Sequence, residues 1–168
     1  MRKTDTGKLT RMALLLSVML IIGAFERRIV IVPGIPGIKP GLSNAILLYA
    51  LAAWGRKETY LLMLMKAVLG GLLYAGAGGM LYSLAGGIAA VSVMCALKGI
   101  RGLSAVGISV SGAVMHIAGQ VVFSRFWLGS WAAAFQIPYL IAGAVVTGII
   151  NGILSVLLAK AAARFDKR

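Results

Sequence analysis

Acidic side chains are the scarcest feature of this sequence. Its 168 residues include only four of them, Asp5, Glu26, Glu58 and Asp166, against 17 lysines and arginines. Magnesium-dependent diphosphate chemistry needs carboxylates clustered around the metal, and no two of these four are near neighbours in the chain. A P-loop ending in Gly-Lys-Ser/Thr is also missing, which excludes ATP hydrolysis by that route. The sequence therefore argues against an enzyme.

Cysteine and histidine are equally scarce, with one residue of each. The single Cys95 excludes an internal disulfide and a cysteine-cluster metal site. Catalysis by His116 alone is the least favoured interpretation, because general acid–base chemistry usually needs a partner group. We therefore predict no cofactor and no metal.

Long apolar runs, by contrast, fill most of the chain. Hydrophobic residues make up 60% of the sequence and its mean hydropathy is +0.95, too apolar for a soluble domain. At about 20 residues per membrane crossing, the runs predict one all-α membrane domain over 1–168. It would be a six-helix bundle with helices at about 9–25, 41–55, 59–74, 80–97, 103–123 and 132–160, and a glycine-rich turn at 75–79.

The positive charges stand at the ends of the apolar runs. This placement is typical of topology signals and lipid headgroup contacts, and it argues against nucleic acid. With six crossings and the N-terminus inside, twelve basic residues fall in the cytoplasm and four outside, with Lys66 within a helix. The positive-inside rule thus predicts a multi-pass protein of the bacterial plasma membrane with both termini cytoplasmic.

The segment from Ile29 to Gly41 differs from every other part of the chain. It holds three of the four prolines and alternates them with glycines, yet it remains apolar. Such a sequence forms neither a helix nor a regular strand. Irregular apolar backbone near a bilayer is tolerated where protein buries it or where it lines a cavity.

Polar residues inside apolar helices are costly in lipid and usually face a bundle interior or a cavity. Lys66 either attracts an anionic substrate or snorkels to an interface. His116 and Gln120 share one helix face, as do Thr147, Asn151 and Ser155. Each set either forms hydrogen bonds between helices or lines a cavity. Asn44 is a further ligand candidate, or only a helix cap. The predicted substrate-binding residues are Lys39, Asn44, Lys66, His116, Gln120 and Asn151.

Small residues recur every four positions, at Gly79, Ser83 and Gly87 and again at Ala144, Gly148 and Gly152. Such stripes allow helix backbones to approach closely. They indicate packing within one bundle or, alternatively, contact with a partner membrane protein. Ala13 and Ser17 form a shorter stripe of the same kind.

The stretch Pro36-Gly37-Ile38-Lys39-Pro40-Gly41-Leu42-Ser43-Asn44 resembles the Pro-Gly-Ile-Lys-x-Gly-Leu-x-Asn signature of the Gx transporter family. That family also carries the older label heptaprenyl diphosphate synthase component I. It is similar to the substrate-binding S-components of energy-coupling factor transporters. The resemblance implies a transmembrane coupling protein and cytoplasmic ATPases as partners, besides a small-molecule substrate and membrane lipids. It also implies a lid over residues 29–41, with Pro36, Gly37 and Gly41, and partner contact through Ala13 and Ser17.

Three functions remain open at this point. The chain is a substrate-binding subunit of an importer for a small nutrient or an isoprenoid or cofactor precursor, and Arg27, Arg28, Lys39 and Lys66 favour an anionic one. Alternatively, it is a non-catalytic membrane component of heptaprenyl diphosphate synthesis. The third possibility is a membrane scaffold without a ligand.

Overall fold

The structure is a computed structural model that describes residues 3–28, 41–129 and 137–165. These residues form helices and no strand. The helices are α1 (Lys3–Glu26), α2 (Ser43–Ala53), α3 (Arg56–Gly70), a π-helical turn (Gly71–Ala75), α4 (Gly76–Leu97), α5 (Ala105–Leu128) and α6 (Ile137–Phe165). The predicted all-α class is confirmed, whereas the predicted irregular segment at 29–40 lies outside the described residues.

The six separate helices predicted from the apolar runs are not confirmed. The described residues form five helical stretches, because α3, the π turn and α4 follow one another without a loop from Arg56 to Leu97. The chain does turn within the predicted glycine-rich segment 75–79, but the turn is shorter than predicted, since the π turn ends at Ala75 and α4 begins at Gly76. Only Gly76 has a positive φ there, +71°, and this one residue reverses the chain because glycine carries no Cβ to clash.

The reversal at Gly76 folds α3 back against α4. The hydroxyl groups of Tyr60 and Ser92, on opposite sides of the turn, are 2.7 Å apart. A Cβ on Gly87 would lie 2.7 Å from the sulfur of Met63. The two helices are therefore an antiparallel hairpin, although no loop separates them.

Four of the helical stretches are long and apolar enough to cross a membrane. They are Thr6–Glu26, Arg56–Leu97, Ala105–Trp127 and Ile137–Arg164, and α2 is a shorter apolar helix. Large apolar side chains cover the outside of the bundle, including Phe126 at 84% exposed and Leu72 at 76%. Lipid tails solvate such a surface as well as a protein core would. The chain is a helical membrane protein.

Helix α2 forms the centre of the bundle and contacts all five of the other α-helices. Seven of its eleven residues are buried. Leu47, Leu48 and Leu51 pack there with Met12 and Met19 of α1, and Leu62, Val91 and Met94 of the α3–α4 hairpin join the same cluster. Helix α1 packs mainly against α2 and α3, and is the least enclosed of the four candidate spans.

The small-residue stripes pack inside the chain, as the first of the two interpretations predicted. A Cβ on Gly148 would lie 2.7 Å from the Cα of Val110, and one on Gly152 would lie 2.6 Å from the Cα of Val106. Real Cβ atoms do not approach backbone this closely, so α5 and α6 can touch only because glycine stands at both positions. The exception is the Ala13–Ser17 pair, which is exposed on α1.

Candidate binding cavity

A cavity of about 230 Å³ lies where α1, α3 and α5 end and where α2, α4 and α6 begin. Each of these elements contributes to its wall. Its polar lining residues are Glu26 of α1 and Arg27 directly after it, Ser43 and Asn44 of α2, Lys66 of α3, Tyr74 of the π turn, Tyr82 and Ser83 of α4, His116 and Gln120 of α5, and Thr147 of α6. Polar groups from the whole length of the sequence thus converge at one end of the bundle.

Glu26 is a carboxylate buried at the end of α1, with 6% of its surface exposed. Its Oε1 accepts a hydrogen bond of 2.6 Å from the backbone N–H of Leu42, directly before α2. The first N–H groups of a helix have no intrahelical acceptor, and negative charge is favourable beside them. Glu26 therefore joins the end of α1 to the start of α2 and satisfies one of those donors.

Arg27 joins the end of α1 to the π turn. Its guanidinium donates to the carbonyl oxygen of Tyr74 and lies 5.5 Å from the centre of the Tyr74 ring, a cation–π distance. The Tyr74 hydroxyl packs against Gly23 of α1 and Gly70 of α3. A Cβ atom added to Gly23 would lie 2.5 Å from the hydroxyl oxygen, and one added to Gly70 would lie 3.0 Å from it. A larger residue at Gly23 would displace the tyrosine from the cavity wall.

Lys66 and Asn44 connect α3 and α2 across the cavity. Lys66 Nζ donates to Asn44 Oδ1 at 3.4 Å, which is long for a hydrogen bond and therefore weak. Lys66 is partly exposed within the span. Lys66 is also one of the residues that line the cavity.

His116 and Gln120 form the α5 side of the cavity. The Gln120 amide nitrogen and His116 Nε2 are 3.0 Å apart, so the amide donates and the ring nitrogen accepts. Both side chains lie against α4 at Gly86, where a Cβ would be 2.8 Å from Gln120 and 2.9 Å from the imidazole. Glycine at position 86 leaves the room that this pair occupies.

The predicted site residues divide into three groups. Asn44, Lys66, His116, Gln120 and Gly41, with its φ of +62°, line the cavity. Asn151 does not: it is buried at 1% exposure on α6, one turn beyond the cavity-lining Thr147. Lys39, Pro36 and Gly37 lie outside the described residues.

The two residues predicted to contact a partner lie away from this cavity. Ala13 and Ser17 are exposed near the middle of α1, and the Ser17 hydroxyl donates to the Ala13 carbonyl oxygen at 2.9 Å. This bond stays within one helix and leaves both side chains on its surface. Their contact role remains a prediction, as does substrate binding by the cavity residues.

Sequence reasoning did not place Glu26, Tyr74, Tyr82 or Ser83 in a site, and it counted Arg27 only as an outer cation. A charge at the end of an apolar run has the same pattern whether it faces headgroups or a cavity. The stripe of Gly79, Ser83 and Gly87 carried a usable signal, because its one hydroxyl marks the side of α4 that meets the cavity. Within the described residues, no three histidine, cysteine or acidic side chains cluster as metal ligands do.

The fold and the cavity define a helical membrane protein with polar groups gathered at one end of its bundle. Residues 15–158 match the family described as heptaprenyl diphosphate synthase component I. This match covers most of the chain, and the chain belongs to that family, as its Pro36–Asn44 motif predicted. No curated protein and no solved structure matched the chain.

Proposed function

We propose that this chain is the substrate-binding subunit of an energy-coupling-factor-type importer and that it holds a small anionic solute in the cavity. The observation that carries the proposal is the convergence of polar side chains from all six α-helices and the π turn at one place. Polar groups inside a membrane domain are expensive and are typical of substrate pathways. An enzyme would need a catalytic group, and the family name alone assigns none to this chain.

The charges favour an anion. Arg27 and Lys66 bring two cations to the cavity wall, and among the described lining residues Glu26 is the one carboxylate. Glu26 is directed at a backbone N–H before α2, where the helix N-terminus stabilises its charge. The neutral donors of Asn44 and Gln120 supply further hydrogen bonds to a polar solute.

The size of the cavity favours a small molecule. Clefts for drug-sized ligands measure about 300–1,000 Å³, and this cavity, at about 230 Å³, falls below that range. A solute of metabolite size fits it, whereas a heptaprenyl chain does not.

We further propose that the chain crosses the bacterial plasma membrane six times, with both termini in the cytoplasm. Twelve of the basic residues then lie inside, in accord with the positive-inside rule. The cavity then faces outward, where an importer collects its solute. Energy would come from ATP hydrolysed by partner subunits, through a transmembrane coupling protein.

The test is the substitution Lys66→Met, with Lys160→Met as the matched control on an exposed position near the end of α6. Each protein is purified gently and analysed by native mass spectrometry for retained small molecules. We expect an anionic molecule on the wild type and on Lys160→Met, with at least tenfold less on Lys66→Met. Equal retention by all three proteins, or retention of cations only, would refute the cavity as an anion site.

The transport role is tested separately by co-purification from the native membrane. We expect a coupling protein and ATPases to accompany the tagged chain, and uptake of the retained molecule to stop when those ATPases are inactivated. The importer assignment would be refuted if the chain were isolated alone in several mild detergents and if uptake of the retained molecule continued after the ATPases were inactivated.

The family description favours a second candidate, a non-catalytic membrane component of heptaprenyl diphosphate synthesis. Arg27 and Lys66 suit a diphosphate group as well as they suit another anion, although the prenyl chain would have to lie outside the cavity. The assay is prenyl elongation by the soluble synthase with and without this chain. Unchanged product length and rate would eliminate this candidate.

A further inference from the structure

A second groove lies towards the opposite end of the bundle, between residues 8–12 of α1 and residues 57–61 of α3. It measures about 220 Å³ and is lined by Lys8, Leu9, Met12, Lys57, Glu58 and Leu61. None of these residues lines the first cavity. The groove combines charged residues with apolar ones.

The charged part of the groove carries a net positive charge. Lys8 Nζ forms an ion pair with Glu58 Oε1, which links α1 to α3 and neutralises the one acid among the described residues that line the groove. Lys57 is exposed beside this pair. Two lysines and one glutamate leave one positive charge for an anionic group at this site.

The apolar part continues along the outside of α3. Leu9 is 63% exposed and Leu61 is 50% exposed. From Leu61, exposed apolar side chains follow at Met65, Val68 and Leu72, spaced four, three and four residues apart. This spacing puts Leu61, Met65 and Val68 on one face of α3, and the exposed Leu72 follows in the π turn, so the groove opens onto an apolar stripe that runs away from the charged end.

We propose that this groove binds an anionic phospholipid from the leaflet at its end of the bundle. The phosphate would lie against Lys57 and Lys8, and an acyl chain would follow the stripe from Leu61 to Leu72. Basic pockets between transmembrane helices bind anionic headgroups in this manner. A soluble anion would explain the lysines but not the stripe. The proposal is independent of the cavity and of its solute.

The probe is a bilayer of equal parts phosphatidylglycerol and phosphatidylcholine. Wild type, Lys57→Gln and Lys160→Gln are reconstituted in it and extracted with mild detergent, and the lipids retained on each protein are counted by native mass spectrometry. A lysine near the surface contributes about 1 kcal/mol to binding an anionic lipid, which is about fivefold in affinity. We therefore expect Lys57→Gln to retain about fivefold less phosphatidylglycerol, and Lys160→Gln, which does not line the groove, to lose clearly less than Lys57→Gln.

A second measurement keeps the test independent of Lys57. Leu61→Gln leaves every charge in place but interrupts the stripe, so it should also lower phosphatidylglycerol retention. In thermal unfolding, phosphatidylglycerol should stabilise the wild type, whereas inorganic phosphate at the same concentration should not. Equal stabilisation by inorganic phosphate, no preference over phosphatidylcholine, or equal loss in Lys57→Gln and Lys160→Gln would each overturn the proposal.

Discussion

The two ends of the bundle are built differently. At the cavity end, helices are joined by polar contacts, from Glu26 to Leu42, from Arg27 to Tyr74 and from Lys66 to Asn44. Towards the other end, α1, α2, α3 and α4 are joined by a sealed cluster of leucine and methionine side chains around Leu51 and Leu62. The comparison indicates that one end supplies the stability and that this permits the other end to keep a polar space inside a membrane domain.

The largest loss of stability is expected from a cavity in the packed end, by which we mean the end that holds the leucine and methionine cluster around Leu51 and Leu62. Leu51 is 1% exposed, and Leu51→Ala would leave a void that its neighbours fill only in part, lowering the free energy of unfolding by about 2–5 kcal/mol. Leu14→Ala is the matched control, since Leu14 is 62% exposed on α1 and should change stability little. Unfolding in mixed detergent micelles measures both. Equal losses would mean that the packed end does not carry the stability.

A smaller effect is expected at the cavity end from Glu26→Ala. It leaves the partly buried Leu42 N–H without its acceptor, and the loss of one hydrogen bond of this kind costs about 0.5–1.5 kcal/mol. Glu26→Gln keeps an amide oxygen at the same place and should lose less. Hydrogen exchange of the peptide containing Leu42 should accelerate in Glu26→Ala alone. If both variants exchange alike, the contact does not hold α1 to α2.

The smallest effect is expected from the Lys8–Glu58 ion pair, which joins α1 to α3 at the surface of the packed end. The two side chains are 38% and 21% exposed, and exposed pairs contribute about 0.2–1 kcal/mol. A double-mutant cycle with Lys8→Gln and Glu58→Gln should give a coupling free energy in this range that falls as salt is added. A larger coupling that is insensitive to salt would place this pair among the main supports of the packed end.

Much of the cavity could be predicted from residue spacing and polarity. His116 and Gln120 are four residues apart, so they share a helix face whatever surrounds them. Lys66 and Asn44 stood out because polar groups inside a membrane domain usually face its interior. These arguments identify one face on each of α2, α3 and α5, and the structure shows that the three faces meet at the cavity.

Other features depend on how far along a helix a residue lies and on its tertiary contacts, and the spacing of residues in the sequence predicts neither. Asn151 shares a stripe with Thr147, but the stripe extends one turn past the cavity. Glu26 stands at the end of an apolar run, where its burial depends on contact with the start of α2. The glycines at 75–79 predicted a turn of five residues, yet a single residue with positive φ suffices to reverse the chain.

The glycine contacts between α5 and α6 also bear on motion. With Gly148 against Val110 and Gly152 against Val106, the two backbones have no side-chain layer between them. Such a pair slides or separates only by losing contacts along its length, so it moves as a rigid body. Helix α1 has fewer neighbours. On the microsecond-to-millisecond scale of collective motions, the cavity would therefore widen by displacement of α1, while α5 and α6 provide a fixed wall.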